Sequence, residues 1–319
     1  MRKPRICVIT SHCCIRVLKE AIPLINKGYE IDLVSRRLPA EWRYFRSYLP
    51  WSYESLAKII QDKKDIDIFH CHNQPTKLIK IVLDSTDKPV VADIHDFDSI
   101  VNMRYIPIEK EILQRAAKVI FPTKEYIGWA EDIYDTPDME KKALVLYSYC
   151  SKAMLPKLRV LPSPAYNEVV YEGGIDSYRS LSCFKKVNIY TNVLGFSPEA
   201  TLKYQGSSLH IQLEYSKLIQ KLSEYAWGLT GSCYDNYNIR VAMPNKLFEY
   251  IAAGIPIISY MTDEVSKFIK EYNIGIAITD PDQIIPDYIP YRENVQKIRD
   301  QFWMEDHIEI LETLYKEVL

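Results

Sequence analysis

Short apolar runs alternate with helical patterns along the first half of the chain. Runs rich in β-branched residues predict strands at 6–9, 31–35, 66–71, 89–94, 119–122 and 144–147. Between them, apolar residues recur at helical spacing near 16–26, 53–62, 75–83 and 109–117. Buried strands with helices between them predict a parallel, doubly wound sheet, whose ligands bind beyond the carboxyl ends of the strands.

The same alternation restarts after a proline-rich stretch at 155–164. Proline fixes φ and removes an N–H donor, so this stretch fits a linker better than an element. Beyond it we predict strands at 168–171, 188–191, 227–230 and 255–259, and a helix at 214–226. Because 319 residues exceed what one hydrophobic core usually organises, we predict two α/β domains with a cleft between them.

Composition narrows the class of protein. The 40 basic and 42 acidic residues nearly cancel, so no global affinity for polyanions is expected. The seven cysteines form no C-x-x-C pair and no small-domain framework, which indicates a reducing compartment. The first apolar run is too short for a signal peptide, and no run reaches the length of a membrane span. We therefore predict a cytoplasmic protein.

Residues 244–256 carry the most specific pattern. Pro244 precedes apolar residues at helical spacing, and Gly254 ends the segment. Lys246 falls in the first turn, where the helix dipole and backbone N–H groups favour an anion, and Glu249 lies on the same face three residues on. A phosphate at the helix start and a ribose one turn along would fit these groups. The alternative is an ordinary amphipathic helix with an exposed Lys–Glu pair.

This run resembles the P-x-K-x-x-E-Y-x-A-x-G-x-P-x-I signature of glycosyltransferase family 4 and its relatives, retaining enzymes of GT-B fold. The resemblance implies an α/β protein with two Rossmann-like domains facing across a cleft. We assign the acceptor to residues 1–160 and the nucleotide-sugar donor to residues 161–300, with a helix in 301–319 packing back toward the first domain. The resemblance also implies that Glu249 binds the ribose, and that Asn245 and Lys246 lie beside it in the donor site. Where many members carry another glutamate, eight residues before Glu249, this chain has Val241.

Gly173 and Gly174 follow a predicted strand, where glycine permits a tight turn and close backbone approach to a phosphate. The segment resembles the family's G-R-L-x-x-x-K-G loop, with Gly174 in place of the arginine and Arg179 in place of the lysine. The resemblance implies that Arg179 meets the diphosphate. A strand-ending turn with a surface arginine is the alternative.

Two strands of the first half end in polar residues, at His70-Cys71-His72-Asn73 and at Asp93-Ile94-His95-Asp96. Family members often read H-x-H-N-x-P and D-x-H-D at these places, where residues line the acceptor pocket. The resemblance therefore assigns His72, Asn73 and Asp93 to the acceptor side and His95 and Asp96 to catalysis.

Other chemistries compete for these residues. We predict no metal, because His70 and His72 alternate along a strand and no zinc-ligand spacing appears. Asp96 and Asp98 spell the D-x-D of GT-A enzymes, but they fall in the half assigned to the acceptor. Asp93 or Asp96 could act as the general base of an inverting enzyme, which conflicts with a retaining family.

Basic and aromatic residues mix in the segment 36–53. Such a segment suits an anionic membrane surface, or a lipid-linked or nucleic-acid acceptor. The alternative is a loop and helix packed on their own domain.

We predict a glycosyltransferase that moves a sugar from a nucleoside-diphosphate sugar to a hydroxyl of a glycan, lipid-linked or other acceptor. Its only co-substrate would be the donor, and fixed cations and helix amides would meet the leaving-group charge without a metal. It would work in the cytoplasm or at the inner face of the membrane. The alternative is an inactive nucleotide-sugar-binding protein of the same fold. An oxidoreductase would need a G-x-G-x-x-G after the first strand, where there is none.

Overall fold

The computed structural model describes residues 2–37, 43–175, 180–191, 208–211 and 213–319. The chain forms two compact units, one of Met1–Ala153 with Met304–Leu319 and one of Met154–Trp303. The chain therefore crosses between units just before the proline-rich stretch at 155–164, and its last residues belong to the first unit.

The first unit contains a seven-stranded parallel sheet. Its strands are β1 (Arg5–Thr10), β2 (Glu30–Ser35), β3 (Ser47–Leu49), β4 (Ile68–His72), β5 (Val90–Asp93), β6 (Lys118–Phe121) and β7 (Ala143–Val145). The order is β3-β2-β1-β4-β5-β6-β7, so the direction of winding reverses between β1 and β4. Such a switch point is where doubly wound folds bind ligands.

In the described residues, six α-helices lie between these strands or follow them in the chain. They are α1 (Ile15–Asn26), α2 (Leu56–Asp62), α3 (Lys77–Ser85), α4 (Ile106–Arg115), α5 (Glu125–Tyr134) and α6 (Met139–Lys142). Most apolar residues of α1 are buried, as its helical spacing predicts, but Arg16, Lys19 and Glu20 are buried as well. Their spacing puts the three charged side chains on one face of α1.

The segment 36–53 contributes to the first unit's own core. It contains β3 at the edge of the sheet, and Phe45 and Trp51 are buried. The Trp51 Nε1 donates to the Thr10 carbonyl at 2.8 Å, and Arg46 Nε lies 2.7 Å from an Asp32 oxygen. The described part of the segment therefore packs on its own domain, which was the alternative to a membrane or acceptor surface. Residues 38–42 lie outside the described residues.

The second unit repeats the architecture with six parallel strands. They are β8 (Tyr166–Glu172), β9 (Asn188–Thr191), β10 (Ser208–Ile211), β11 (Tyr225–Gly231), β12 (Ile257–Tyr260) and β13 (Gly275–Ile278), in the order β10-β9-β8-β11-β12-β13. The described helices are α7 (Tyr215–Leu222), α8 (Tyr237–Val241), α9 (Asn245–Ala253), α10 (Asp263–Glu271) and α11 (Ile289–Ile298). Here the winding reverses between β8 and β11.

The predicted end of the helix at 214–226 is wrong. The helix ends at Leu222, and Tyr225 and Ala226 begin strand β11, where both are buried. The ring of Tyr225 lies 5.3 Å from that of Tyr166 in the neighbouring strand. Pairing of aromatic side chains across the sheet favours the strand over a continued helix.

Two short helices, α12 (Met304–His307) and α13 (Glu309–Glu317), complete the first unit. The Met304 amide donates to the Cys150 carbonyl at 2.8 Å, and the imidazole of His307 stacks on Tyr149 with 4.0 Å between ring centroids. On α13, Leu311, Leu314 and Tyr315 are buried. No helix in the described ranges has the length and apolar character needed to cross a membrane.

The structure contains a disulfide, whereas the cysteine pattern was interpreted as that of a protein in a reducing compartment. The sulfur atoms of Cys183 and Cys233 are bonded to each other, whereas Cys7, Cys13, Cys14, Cys71 and Cys150 take part in no disulfide. The two partners are 50 residues apart, and the spacing of cysteines in the sequence gives no sign of the pair.

Candidate active site

Helix α9 has the start and the end that the sequence predicts. It begins directly after Pro244 and stops at Gly254, whose φ of +73° is the left-handed conformation that glycine adopts at helix ends. A Cβ on Gly254 would lie 2.4 Å from Val160 Cγ1, so the position also has no room for a side chain. The positive end of the helix dipole is thus fixed next to Lys246.

Lys246 meets the glycine pair at the carboxyl end of β8. Its Nζ lies 3.7 Å from the centroid of the Tyr171 ring, and a Cβ on Gly173 would lie 3.2 Å from this Nζ. Gly173 has a φ of +118°, and the Tyr171 hydroxyl donates to the Gly174 carbonyl at 3.2 Å. The two motifs that the sequence suggested separately therefore form one cationic, glycine-lined site at the switch point of the second sheet.

Tyr250 holds α9 against the strands that form this site. Its buried hydroxyl accepts the Glu172 N–H at 3.2 Å and donates to the Leu229 carbonyl at 3.0 Å. The ring packs directly on Gly228 of β11, where a Cβ would lie 2.5 Å from the ring atoms. Close approach of helix to strand at this point thus depends on glycine.

We predict that Gly228→Ala destabilises the protein by about 1–3 kcal/mol, because the added methyl group displaces a ring in a filled core. Gly128→Ala is the matched control. A Cβ on Gly128, inside α5, would have no atom within 4 Å, so this change should be neutral or stabilising through helix propensity. Urea unfolding of both variants measures the difference, and equal stability would contradict the packing argument.

The other predicted donor residues are placed as follows. Glu249 lies on the same face of α9 as Lys246, one turn further on, and its side chain is buried. Asn245 is the first residue of α9 and is half-buried. Val241 is buried at the end of α8, so an apolar side chain occupies the position of the family's first glutamate. Arg179 lies outside the described residues.

In the first unit, the polar residues after β4 and β5 are adjacent. His72 and Asp93 pair in register, and the Nδ1 of His72 lies 2.9 Å from the Nε2 of His95 and 3.5 Å from an Asp93 oxygen. Asn73 accepts the His95 backbone N–H at 2.8 Å and donates to the Asp96 carbonyl. His72, Asn73 and Asp93 are buried, so they fix the loop that carries His95 and Asp96.

The imidazole of His95 is neutral at pH 7. Burial lowers the pKa of His95 to about 4, although the negative charge of Asp93 opposes the shift. Burial likewise lowers the pKa of His72 well below its usual value. Burial would raise the pKa of Asp93, but the positive charge of Arg16 outweighs it and holds this pKa well below its usual value. His95 is thus an uncharged imidazole held beside the carboxylate of Asp93.

Asp96 and Asp98 do not act as the pair that the D-x-D alternative requires. An Asp96 oxygen accepts from the Gln74 side-chain amide at 3.1 Å, whereas an Asp98 oxygen accepts both the backbone N–H of Thr76, at 3.2 Å, and its hydroxyl. Asp98 therefore binds the residue at the start of α3.

The geometric reason for excluding a metal was wrong. Residues two apart in a strand point to the same face, and the rings of His70 and His72 stack with 4.8 Å between centroids. Two carboxylates face the same histidines, those of Glu20 and Asp93. These four residues are buried, and their potential ligand atoms lie within 4.8 Å of one another.

Four further residues of this region were not predicted from the sequence: Arg16, Lys19, Glu20 and Tyr315. Arg16 lies 3.0 Å from a Glu20 oxygen and 3.1 Å from an Asp93 oxygen, and it donates to Ser148 Oγ at 2.8 Å. The shared face of three charged residues after the first strand is a signal that could have found the α1 residues. Tyr315, whose hydroxyl lies 2.7 Å from His70 Nδ1, is 245 residues away in sequence and gave no such signal.

Comparison with known proteins agrees with this architecture. Residues 169–299 match the family described as "Glucosyltransferase 3-like, C-terminal domain". Among solved structures, the chain is similar to Anabaena HepE in complex with UDP, at 11% identity and a TM-score of 0.73, covering 98% of this chain and 100% of that one. The fold is that of the GT-B glycosyltransferases.

Two further GT-B structures are similar over their whole length. A glycosyltransferase from Rickettsia africae has 12% identity and a TM-score of 0.69, covering 100% of this chain and 99% of that one. Sucrose-phosphate synthase from Thermosynechococcus elongatus has 13% identity and a TM-score of 0.66, covering 98% and 95%. No curated protein matches the sequence. The predicted GT-B fold is confirmed, and residues 169–299 of the second unit match a glucosyltransferase family model. Membership of family 4 stays a prediction.

Proposed function

We propose that the protein transfers a sugar from a nucleoside-diphosphate sugar to an acceptor hydroxyl, and that the second unit holds the donor. The observation that carries this proposal is the position of Lys246 Nζ beside Gly173, at the start of α9 and the end of β8. A cation, a helix N-terminus and a side-chain-free turn together suit a diphosphate. Glu249, one turn along α9, suits the ribose hydroxyls.

A uridine nucleotide is the donor that we expect. The similar Anabaena HepE structures contain UDP, in one case with glucose, and a similar alpha-glucosyltransferase contains UDP with DNA. For this chain we propose a glycan or lipid-linked hydroxyl acceptor, because the near balance of 40 basic and 42 acidic residues offers no general attraction for nucleic acid. We propose that it works in the cytoplasm or at the inner face of the membrane.

In the proposed reaction, the bond from the anomeric carbon to the β-phosphate oxygen breaks and a bond to the acceptor oxygen forms. The nucleoside diphosphate leaves with both electrons of the broken bond, and its phosphate takes the acceptor proton. Lys246, the amides of α9 and Arg179 stabilise the departing charge, without a metal at the diphosphate. The neutral imidazole of His95 and the side chain of Asp96 orient the acceptor. The resemblance to family 4 supports retention of the anomeric configuration.

The test is to incubate the protein with UDP-, GDP- and ADP-sugars and to measure the released nucleoside diphosphate. We expect release from a UDP-sugar, with a rate that added Mg²⁺ or Mn²⁺ leaves unchanged. Thermal unfolding should show stabilisation by the same donor through mass action. Stabilisation without any release would indicate the inactive binding protein instead, and neither effect with any donor would refute the proposal.

The ribose assignment has its own test. Glu249→Gln should weaken binding of the stabilising donor about tenfold or more, because a hydrogen bond to a charged group is lost. The control is Glu271→Gln, which changes an exposed glutamate at the end of α10. Equal donor affinity in Glu249→Gln and the wild type would show that Glu249 does not bind the donor.

A further inference from the structure

The first unit contains a buried group of side chains that the proposed transfer reaction does not use directly. Glu20 on α1, His70 and His72 on β4, and Asp93 on β5 converge at the switch point of the sheet. We define these four residues as the buried tetrad. Their exposed fractions are 2%, 1%, 1% and 0%.

We propose that the buried tetrad is a binding site for one divalent transition-metal ion, with zinc as the expected occupant. The His70 Nε2 lies 3.9 Å from Glu20 Oε2 and 3.7 Å from Asp93 Oδ2, and the His72 Nε2 lies 4.0 Å from the same Glu20 oxygen. Ligands in a tetrahedral zinc site with bonds of about 2.0–2.1 Å stand about 3.4 Å apart. A small inward movement of the side chains would complete such a site.

Unsatisfied atoms within the tetrad point to a missing ligand. Glu20 Oε1 and Asp93 Oδ1 form ion pairs with Arg16, whereas the Glu20 Oε2 and the His70 Nε2 are buried and have no hydrogen-bond partner. Such atoms are costly in a protein interior unless something fills the space between them. The charges do not by themselves require a cation, because Arg16 and Lys19 formally balance Glu20 and Asp93. The atoms that lack a partner are Glu20 Oε2 and His70 Nε2, which face each other at 3.9 Å.

The surroundings of the tetrad have the organisation of a metal site. The second ring nitrogen of each histidine already has a partner, since His70 Nδ1 lies 2.7 Å from the Tyr315 hydroxyl and His72 Nδ1 lies 2.9 Å from His95 Nε2. The Arg16 guanidinium lies 3.0 Å from Glu20 Oε1 and contacts both oxygens of Asp93, at 3.1 Å from Oδ1 and 3.2 Å from Oδ2. Outer partners of this kind orient metal-binding imidazoles and carboxylates.

Two imidazoles and two carboxylates favour one class of metal. Imidazole suits zinc, copper, iron and nickel, whereas magnesium and calcium prefer all-oxygen sites. Four protein ligands would leave no open position, as in structural zinc sites. The ion would therefore brace α1, β4 and β5 and, through His72, orient His95, while the diphosphate is bound by the second unit.

The direct test uses the full chain, purified without a histidine tag or a metal column. Elemental analysis should find about one zinc per chain, and after removal by a chelator the protein should take up one equivalent of Zn²⁺ in calorimetry. Less than a tenth of an equivalent as purified, with no uptake of Zn²⁺ or Co²⁺ by the stripped protein, would overturn the proposal.

Variants locate the ion. His70→Gln should lower Zn²⁺ affinity about 100-fold or more, and Tyr315→Phe, which only removes the partner of His70 Nδ1, roughly 10-fold. His12→Gln, at an exposed histidine of the same unit, should bind like the wild type. Uptake that is equal in all four proteins would show binding elsewhere and refute the site.

A spectroscopic readout covers the case in which His70→Gln does not fold. Co²⁺ bound to the wild type should give the intense visible absorption of a four-coordinate site, and Zn²⁺ should displace it stoichiometrically. The weak spectrum of a six-coordinate ion would contradict the buried tetrad as the ligand set. Because these measurements need no sugar donor, their failure leaves the proposed transfer reaction untouched.

Discussion

Lys246→Met is expected to lower kcat/KM for sugar transfer roughly 10²–10³-fold, which is the typical cost of losing one fixed group that stabilises developing charge. Methionine keeps an apolar side chain of similar length but removes the Nζ that lies over the Tyr171 ring and beside Gly173. The loss should therefore come from electrostatics and not from collapse of the glycine turn. Steady-state assays with the preferred donor measure it.

The matched control for this variant is Lys217→Met, at an exposed lysine of α7 that pairs only weakly with Glu214 at 3.3 Å. It should transfer sugar at the wild-type rate. An unchanged kcat/KM in Lys246→Met would show that the diphosphate does not bind at the start of α9. Wild-type thermal stability of both variants is needed for this comparison, and we expect it because Lys246 is only half-buried.

Sequence patterns predicted the sheets well because strands buried on both faces leave a clear apolar signal. Every strand predicted in the first half occurs in the structure, although the bounds shift by a few residues. Three strands were missed, and all three lie at sheet edges: β3 has only three residues, among basic and aromatic ones, β10 has four residues, and β13 begins at Gly275. Short edge strands depend on neighbours more than on their own pattern.

The candidate site could be predicted where its residues lie in one segment of the chain, but not where they come from separate helices and strands. Pro244, Lys246 and Gly254 lie in one helix and its caps, so their spacing carries the geometry. The tetrad joins α1, β4 and β5, and no single segment contains its pattern. The period of two along β4 does place His70 and His72 on one face, so that half of the tetrad could have been read from the sequence.

Arg16→Met is expected to destabilise the chelator-treated protein by about 3–5 kcal/mol, because it leaves the carboxylates of Glu20 and Asp93 buried without their cation. Arg2→Met, at an ion pair with Asp67 that is largely exposed, should change the free energy of unfolding little. Urea unfolding measures both, and equal stability of the two variants would contradict the role of Arg16.

The same variant connects the stability of the first unit to the proposed metal. A dication between Glu20 and Asp93 would replace part of the positive charge that Arg16→Met removes. Saturating Zn²⁺ should therefore stabilise Arg16→Met more than it stabilises the wild type, because the more negative site of the variant binds Zn²⁺ more tightly. Equal stabilisation of both proteins would mean that zinc does not bind beside these carboxylates, even if it binds to the chain. The buried charges of α1 thus provide an independent thermodynamic probe of the tetrad.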